Sequence, residues 1–264
     1  MKSLIVAWWY GTRMLPISKV IPKEMMPVWD KPVIQYIVDW IVWCWIKDIV
    51  IINTTQKKII EDRFDKNYEL EDMLEKKWKT EMLEMVNRPR NMANYTFVKQ
   101  LEWLGTWWAV LQAQDWLDDD YFMLNFWDAI YSPSDFQRIF QKFQETKCPI
   151  IGIVPQPIEE TWNHWVALLN WEKLVQIEES RDSAKAASNY IWDWFCILPK
   201  QIFNILNDIK KQKNWWKFRL ADWINILAKQ TDIYTIKIDS YRDIWTIQKR
   251  LNANNKVYKD WFLF

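Results

Sequence analysis

Hydrophobic positions along this chain fall into two patterns, short unbroken apolar runs and longer segments with helical spacing. Leu4 to Ala7, Asp48 to Asn53 (DIVIIN), Tyr121 to Phe126 and Pro149 to Val154 (PIIGIV) are runs of strand length and read as buried strands. Between the first two, Val33, Ile34, Ile37, Val38, Ile41 and Val42 repeat with a helical period, and Pro32 suits the first turn, where its missing N–H costs nothing. Strand, loop, helix and strand in this order predict a parallel pair and an α/β fold. Thr55 to Val86 is charged and helical. Tyr95 to Lys99 reads as a further strand, Phe136 to Gln144 as a helix, and NHWVALLNWEKLVQIEES as a hairpin-like pair. Alternation from Tyr234 to Asp239 (YTIKID) predicts a late strand, and the tail from Asn252 carries no readable pattern.

The first strand leads into a loop holding Gly11, Thr12, Arg13, Lys19 and Lys23, which closes on Asp30 and Lys31 ahead of the helix. A strand feeding a loop of backbone donors and cations is how α/β proteins cradle phosphates. Such a loop calls for glycine, yet positions 8 and 9 are Trp8 and Trp9.

Composition sharpens that mismatch. The chain has 264 residues, with 3 glycines and 22 tryptophans. Glycine makes up about 7% of ordinary chains, because turns and close backbone approaches need positive φ. Exchanging every tryptophan for glycine would bring this chain close to that value. Placement agrees: Trp45 follows a helix where a C′ glycine belongs, Trp78 sits in EKKWKTE, Trp107 lies in a loop opening a helix, and Trp215-Trp216 stand at an expected turn. We expect glycine at most of these positions in the natural protein. The codon UGA, read as glycine in some bacterial lineages and as tryptophan in others, would account for the exchange.

Net charge is +1 with charges interspersed, which leaves no electrostatic footprint for nucleic acid or an anionic membrane surface. No apolar run approaches membrane-spanning length and no signal segment is visible, so a cytoplasmic protein is expected. Cys44, Cys148 and Cys196 have no metal-binding or paired spacing and read as reduced thiols. The only histidine, His164, has no Cys, Asp or Ser beside it and reads as structural. The length suits one large α/β domain, and no repeat, linker or low-complexity segment divides it.

From Tyr10 to Tyr36 the chain follows, almost residue for residue, the signature A-[AG]-G-x-G-T-R-x-L-P-x-[ST]-K-x-x-P-K-E-M-x-P-x-x-D-K-P-x-[IL]-Q-Y. It thereby resembles the sugar-1-phosphate nucleotidyltransferase family, and within it the bacterial UTP–glucose-1-phosphate uridylyltransferases. The segment FDKNYELEDMLEKKWKTEMLEMV matches an insertion of that subfamily which its thymidylyl relatives lack. The resemblance covers about residues 3–254. It implies a three-layer α/β/α Rossmann-like fold with a mainly parallel central sheet. It also implies a single domain over 1–264, with a nucleotide-binding part to about 130 and a sugar-binding part over about 131–254.

The same resemblance assigns roles. Arg13 and Lys23 would be the catalytic cations on the triphosphate. Ala7, Trp8, Trp9, Gly11 and Thr12 would form the nucleotide loop, with Trp9 on a family glycine, while Gln100 and Gly105 would meet the uracil edge. Asp128 and Asp243 would hold one Mg2+. Trp165 and Trp194 stand on glycines of the sugar site, Glu179 would hold sugar hydroxyls, and Arg181 would supply a cation one residue after Ser180, where the family has Lys. Further departures are Ala129 for a second acid, and Lys217 and Arg219 for Glu and Gln beside the retained Asp222. The implied activity is transfer of UMP from UTP to glucose 1-phosphate in a dimer or tetramer. Use of dTTP or another sugar 1-phosphate, and a catalytically degenerate nucleotide-sugar binder, remain as alternatives.

Overall fold

The computed structural model describes residues 1–102, 104–126, 129–212, 214 and 218–262, with side chains described as far as residue 257. Asp128, Trp215, Trp216 and Lys217 lie outside the described residues. The chain opens with β1 (Lys2–Val6), and β2 (Pro27–Val28) and β3 (Lys31–Pro32) form a small hairpin before α1 (Val33–Trp43). Strand β4 (Asp48–Asn53) precedes three short helices, α2 (Lys58–Phe64), α3 (Tyr68–Lys76) and α4 (Thr80–Met92). Then come β5 (Asn94–Lys99), α5 (Thr106–Gln112), β6 (Tyr121–Phe126), β7 (Ala129–Ile130), α6 (Pro133–Thr146) and β8 (Ile150–Pro155). The hairpin β9 (Trp165–Asn170) and β10 (Lys173–Glu179) leads to β11 (Tyr190–Pro199), α7 (Ile202–Lys210) and α8 (Leu220–Ala228). The chain closes with β12 (Tyr234–Lys237), β13 (Arg242–Asp243) and α9 (Ile247–Phe262).

Alternation within the strands sets the layering. Leu4, Val6, Val50 and Ile52 face one core, while Ile5, Ile49 and Ile51 face the other. On the second side they meet Ile34, Ile37 and Ile41 of α1, Phe136 and Ile139 of α6, and Ala253 and Val257 of α9. On the first they meet Val110 of α5, Leu206 of α7 and Ile224 of α8. Helices therefore cover both faces. The tail from Asn252 that carried no readable pattern belongs to this last helix, which among the described residues reaches the core through Ala253 and Val257. Among the described residues no helix is long and apolar enough to cross a membrane.

The expectation of a mainly parallel sheet is corrected. The order is β5-β4-β1-β6-β11-β8-β12-β10-β9, and β9 returns to β11, closing a ring of strands. β5, β4, β1 and β6 run parallel, as do β8 and β12. β11 is antiparallel to both β6 and β8, and β10 to both β12 and β9. Connection length is the reason. Parallel neighbours need a crossover of about a dozen residues or more, whereas Asn170 and Lys173 are joined by a two-residue turn that only an antiparallel pair can use.

Backbone conformation at the tryptophans is specific. Trp29, Trp45, Trp78, Trp171 and Trp194 all have positive φ, between 54° and 61°. Trp45 and Trp78 end α1 and α3 in the same way. The N–H of each bonds back to Val42 and Glu75, and the next residue's N–H reaches Ile41 and Leu74, the double bond of a Schellman motif with C′ in the left-handed region. Trp29 and Trp171 take the first position of two-residue hairpin loops, where a II′ turn uses glycine. Trp194 sits in the bulge of β11, where the register with β8 shifts between Trp192 and Cys196. Each is a place where a side chain strains the backbone.

Trp45, Trp78 and Trp171 are 87%, 90% and 94% exposed, so their indoles contribute little packing. Trp→Gly at each should stabilise the protein by roughly 0.5–1 kcal/mol, the relief of left-handed strain less the entropy that glycine loses. Trp→Ala, which keeps the Cβ, should gain almost nothing. Urea denaturation of the three pairs checks this, and equal effects of Gly and Ala would contradict it.

Candidate active site

Strand β1 lies between β4 and β6, and the chain winds outward from it in opposite directions, first to β4 and β5 and later to β6. Ligands of open α/β sheets bind outside the carboxyl ends of the strands at such a reversal. A cavity of about 400 Å³ lies there. Its wall is the loop after β1, through Trp8, Trp9, Gly11 and Thr12, and Arg13 and Lys23 enter from the short helical turns that follow. Gly105 and Thr106, where α5 begins, and Trp194 from the β11 bulge complete the opposite side.

Gly11 has φ +68°, and a Cβ there would come within 2.8 Å of Lys23 Cδ. Glycine at 11 thus satisfies both the left-handed turn and the passage of the Lys23 stem beneath it. Lys23 itself is buried. The Gly11 carbonyl accepts from Met14 N–H and from the Ser18 hydroxyl, both at 2.8 Å, which fixes the turn. A second buried lysine, Lys57, which the sequence reading passed over, donates from Nζ to the carbonyls of Ala7 and Trp9 and to Glu24 Oε1.

Indoles crowd this cavity. Trp8 is buried and meets Trp9 edge-on, with ring centroids 5.1 Å apart. Trp245 lies 4.5 Å from the Arg13 guanidinium, so the cation is stacked on an aromatic face. Trp194 packs edge-on to Phe126 at 5.5 Å.

The remaining candidate residues stand around the cavity and do not line it. Ala7 is fully buried, its N–H bonded to Ile52 of β4. Gln100, at the end of β5, is buried; its Nε2 donates to the Glu102 carbonyl, and its Oε1 has no partner among the described residues. Glu179, at the end of β10, accepts from Arg181 at 2.9 Å and from Arg219 at 2.7 Å through the same Oε2. Arg219 also lies over the Trp165 ring at 5.7 Å. The departure at Arg219 is thus tied to Glu179 by an ion pair that no local motif announces.

Asp243 lies in a neighbouring cleft of about 570 Å³, with His164 and Lys249. Its Oδ1 accepts from Trp245 N–H at 2.7 Å, and its Oδ2 is paired with Lys249 Nζ. β13 pairs antiparallel with β7, which sets Asp243 opposite Ala129, the residue after Asp128 in the chain. Among the described residues no group of three or more His, Cys, Asp or Glu could hold a metal ion. The donor that is described, a carboxylate, suits a hard divalent cation, and its Oδ2 already holds a positive charge.

Burial, reinforced by Lys249, holds the His164 imidazole below its ordinary pKa of 6.5. The unfolded chain therefore binds the proton more readily. The stability that the neutral ring contributes is complete above the unfolded value and is lost as pH falls below about 6.5. His164→Gln should shrink the drop in denaturation midpoint between about pH 7 and pH 5.5. Glu61 and Asp135, held below the usual carboxylate range by their hydrogen bonds despite burial, contribute alike in both proteins. An unchanged drop would contradict the assignment.

Residues 2–259 match the model of the family described as nucleotidyl transferase. UTP–glucose-1-phosphate uridylyltransferase 2 of Staphylococcus saprophyticus is 36% identical over 250 residues, covering 91% of this chain and 86% of that protein. The UTP–glucose-1-phosphate uridylyltransferase of Staphylococcus haemolyticus is 32% identical over 250 residues, with the same coverage of 91% and 86%. Among solved structures, a UDP-glucose pyrophosphorylase complexed with UDP-glucose superposes with a TM-score of 0.85 at 27% identity, covering 98% of each chain. With Gly11, Arg13 and Lys23 gathered at the carboxyl end of its central strand and a match over nearly its whole length, the chain belongs to the nucleotidyl transferase family.

Proposed function

We propose that this chain transfers the uridylyl group of UTP to glucose 1-phosphate, giving UDP-glucose and pyrophosphate. The observation that carries the reading is the convergence of Gly11, Arg13 and Lys23 on one cavity at the end of β1. The curated relatives, which bear the uridylyltransferase name, support the choice of substrates.

In this reaction a phosphate oxygen of glucose 1-phosphate bonds to the α-phosphorus of UTP. The bond from that phosphorus to the bridging oxygen breaks, and its electron pair leaves with pyrophosphate. Such transfers are driven by positioning and charge neutralisation, so no side-chain nucleophile is required. Arg13 would meet the β- and γ-phosphates once released from Trp245, and Lys23 the α-phosphate as charge shifts along the chain. Gln100 brings a buried acceptor, without a partner among the described residues, to the edge of the site, suited to the uracil imide N–H. Glu179 would exchange part of its arginine pairing for glucose hydroxyls, with Arg181 and Arg219 near the sugar phosphate. Asp128 and Asp243 would hold Mg2+, which neutralises phosphate charge; Lys249 would then yield Asp243 Oδ2.

Glycine belongs to this reading at positions 8, 9, 194 and 245. Backbone N–H groups must approach phosphate closely, and indoles occupy that space. The positive φ of Trp194 supports glycine there on conformational grounds as well. A second reading, a nucleotide-sugar binder without catalysis, draws on the double clamp of Glu179 by Arg181 and Arg219.

A variant carrying Trp8→Gly, Trp9→Gly, Trp194→Gly and Trp245→Gly decides between them. With Mg2+, UTP and glucose 1-phosphate, pyrophosphate release should exceed that of the tryptophan chain by about 100-fold or more, and UTP should outpace dTTP. A folded variant that binds UDP-glucose yet releases no pyrophosphate would overturn the catalytic reading in favour of the second.

A further inference from the structure

The ammonium of Lys57 is buried at the carboxyl ends of β1 and β4 and reaches three oxygens. Nζ is 2.8 Å from the Ala7 carbonyl, 2.8 Å from the Trp9 carbonyl and 2.6 Å from Glu24 Oε1. An ammonium has three N–H donors and no acceptor, so these three partners match its full donor capacity. Glu24 is itself buried and directly follows Lys23 in the chain. One charge thus ties the end of β1 to the segment that carries Lys23.

We propose that Lys57 is a positioning residue for the phosphate loop. A trans peptide is planar, and its N–H points opposite its C=O. Holding the carbonyls of residues 7 and 9 against one ammonium turns the N–H groups of residues 8 and 10 away from Lys57, in a stretch whose residues Trp8, Trp9 and Gly11 line the cavity. Alternate peptides are thereby aimed alike, an arrangement that concentrates donors on an anion. Ala7 N–H is already fixed by Ile52 of β4 at 2.8 Å, so the ordering begins where the strand ladder ends. A buried ion pair adds little net stability against an apolar replacement of similar shape; its contribution here is direction. That the anion is a nucleotide triphosphate rests on the function proposed above.

Two variants test this: Lys57→Met, and Lys57→Met with Glu24→Gln, which leaves no unpaired buried charge should the single change unfold the chain. In the protein without ligand, hydrogen–deuterium exchange over residues 8–12 should quicken in either folded variant while the core strands hold. On the background with glycine at 8, 9, 194 and 245, affinity for UTP should fall by about 100-fold, while affinity for uridine, which has no phosphate, stays within about twofold. Unchanged exchange over 8–12, or equal losses for UTP and uridine, would overturn the proposal. If the glycine background itself binds no UTP, the nucleotide reading falls, and the exchange result alone decides whether Lys57 orders the loop.

Discussion

Two lysine side chains, Lys23 and Lys57, lie buried beneath the loop that follows β1, and the course of that loop is set by the need to hold them. A buried ammonium costs several kcal/mol unless it is paired and hydrogen-bonded. For Lys57 the compensation comes from Glu24 and two loop carbonyls. Passage of Lys23 is possible because position 11 has no side chain and turns through the left-handed region. Both conditions are met at the point where the sheet order reverses around β1, so the cations and the site share one location. The parallel half of the sheet fixes that location, and the antiparallel ring beyond β11 closes the far wall through Trp194.

Much of this architecture was legible in the chain. DIVIIN and the run from Tyr121 to Phe126 are strands over the very residues expected, because uninterrupted apolar runs of that length bury both faces. Strand direction was not legible beyond the first units, since periodicity carries no information about polarity; the short β9–β10 turn does. Helix α9 escaped because Ala253 and Val257 are its only buried apolar side chains among the described residues. The charged stretch from Thr55 proved to be three helices, interrupted near Asp65 and at Trp78.

The candidate site divides in the same way. Gly11, Thr12, Arg13 and Lys23 stand together because they are close in the chain and their spacing is a local motif. Glu179 with Arg219, Asp243 with Lys249, and Lys57 with Glu24 are ion pairs. The first joins residues 40 positions apart and the last joins residues 33 apart, so folding alone brings them together. No short window of sequence displays these two. They also explain why residues that read as departures from a familiar pattern need not be idle: Arg219 holds the very carboxylate expected to meet the sugar.

The tryptophans connect the two levels. Five of them sit at positive φ in helix ends, hairpin turns and a bulge, and four others crowd the cavity at Trp8, Trp9, Trp107 and Trp245 or touch its lining. The first group strains the backbone in the left-handed region, and the second fills or borders the cavity with indoles. On the proposed function, the loop after β1 is a phosphate cradle built on glycine. The codons at positions 8, 9, 45, 78, 171, 194 and 245 test it most directly. UGA at these positions, in a genome that reads UGA as glycine, is the predicted result; UGG at positions 8 and 9 would contradict the account.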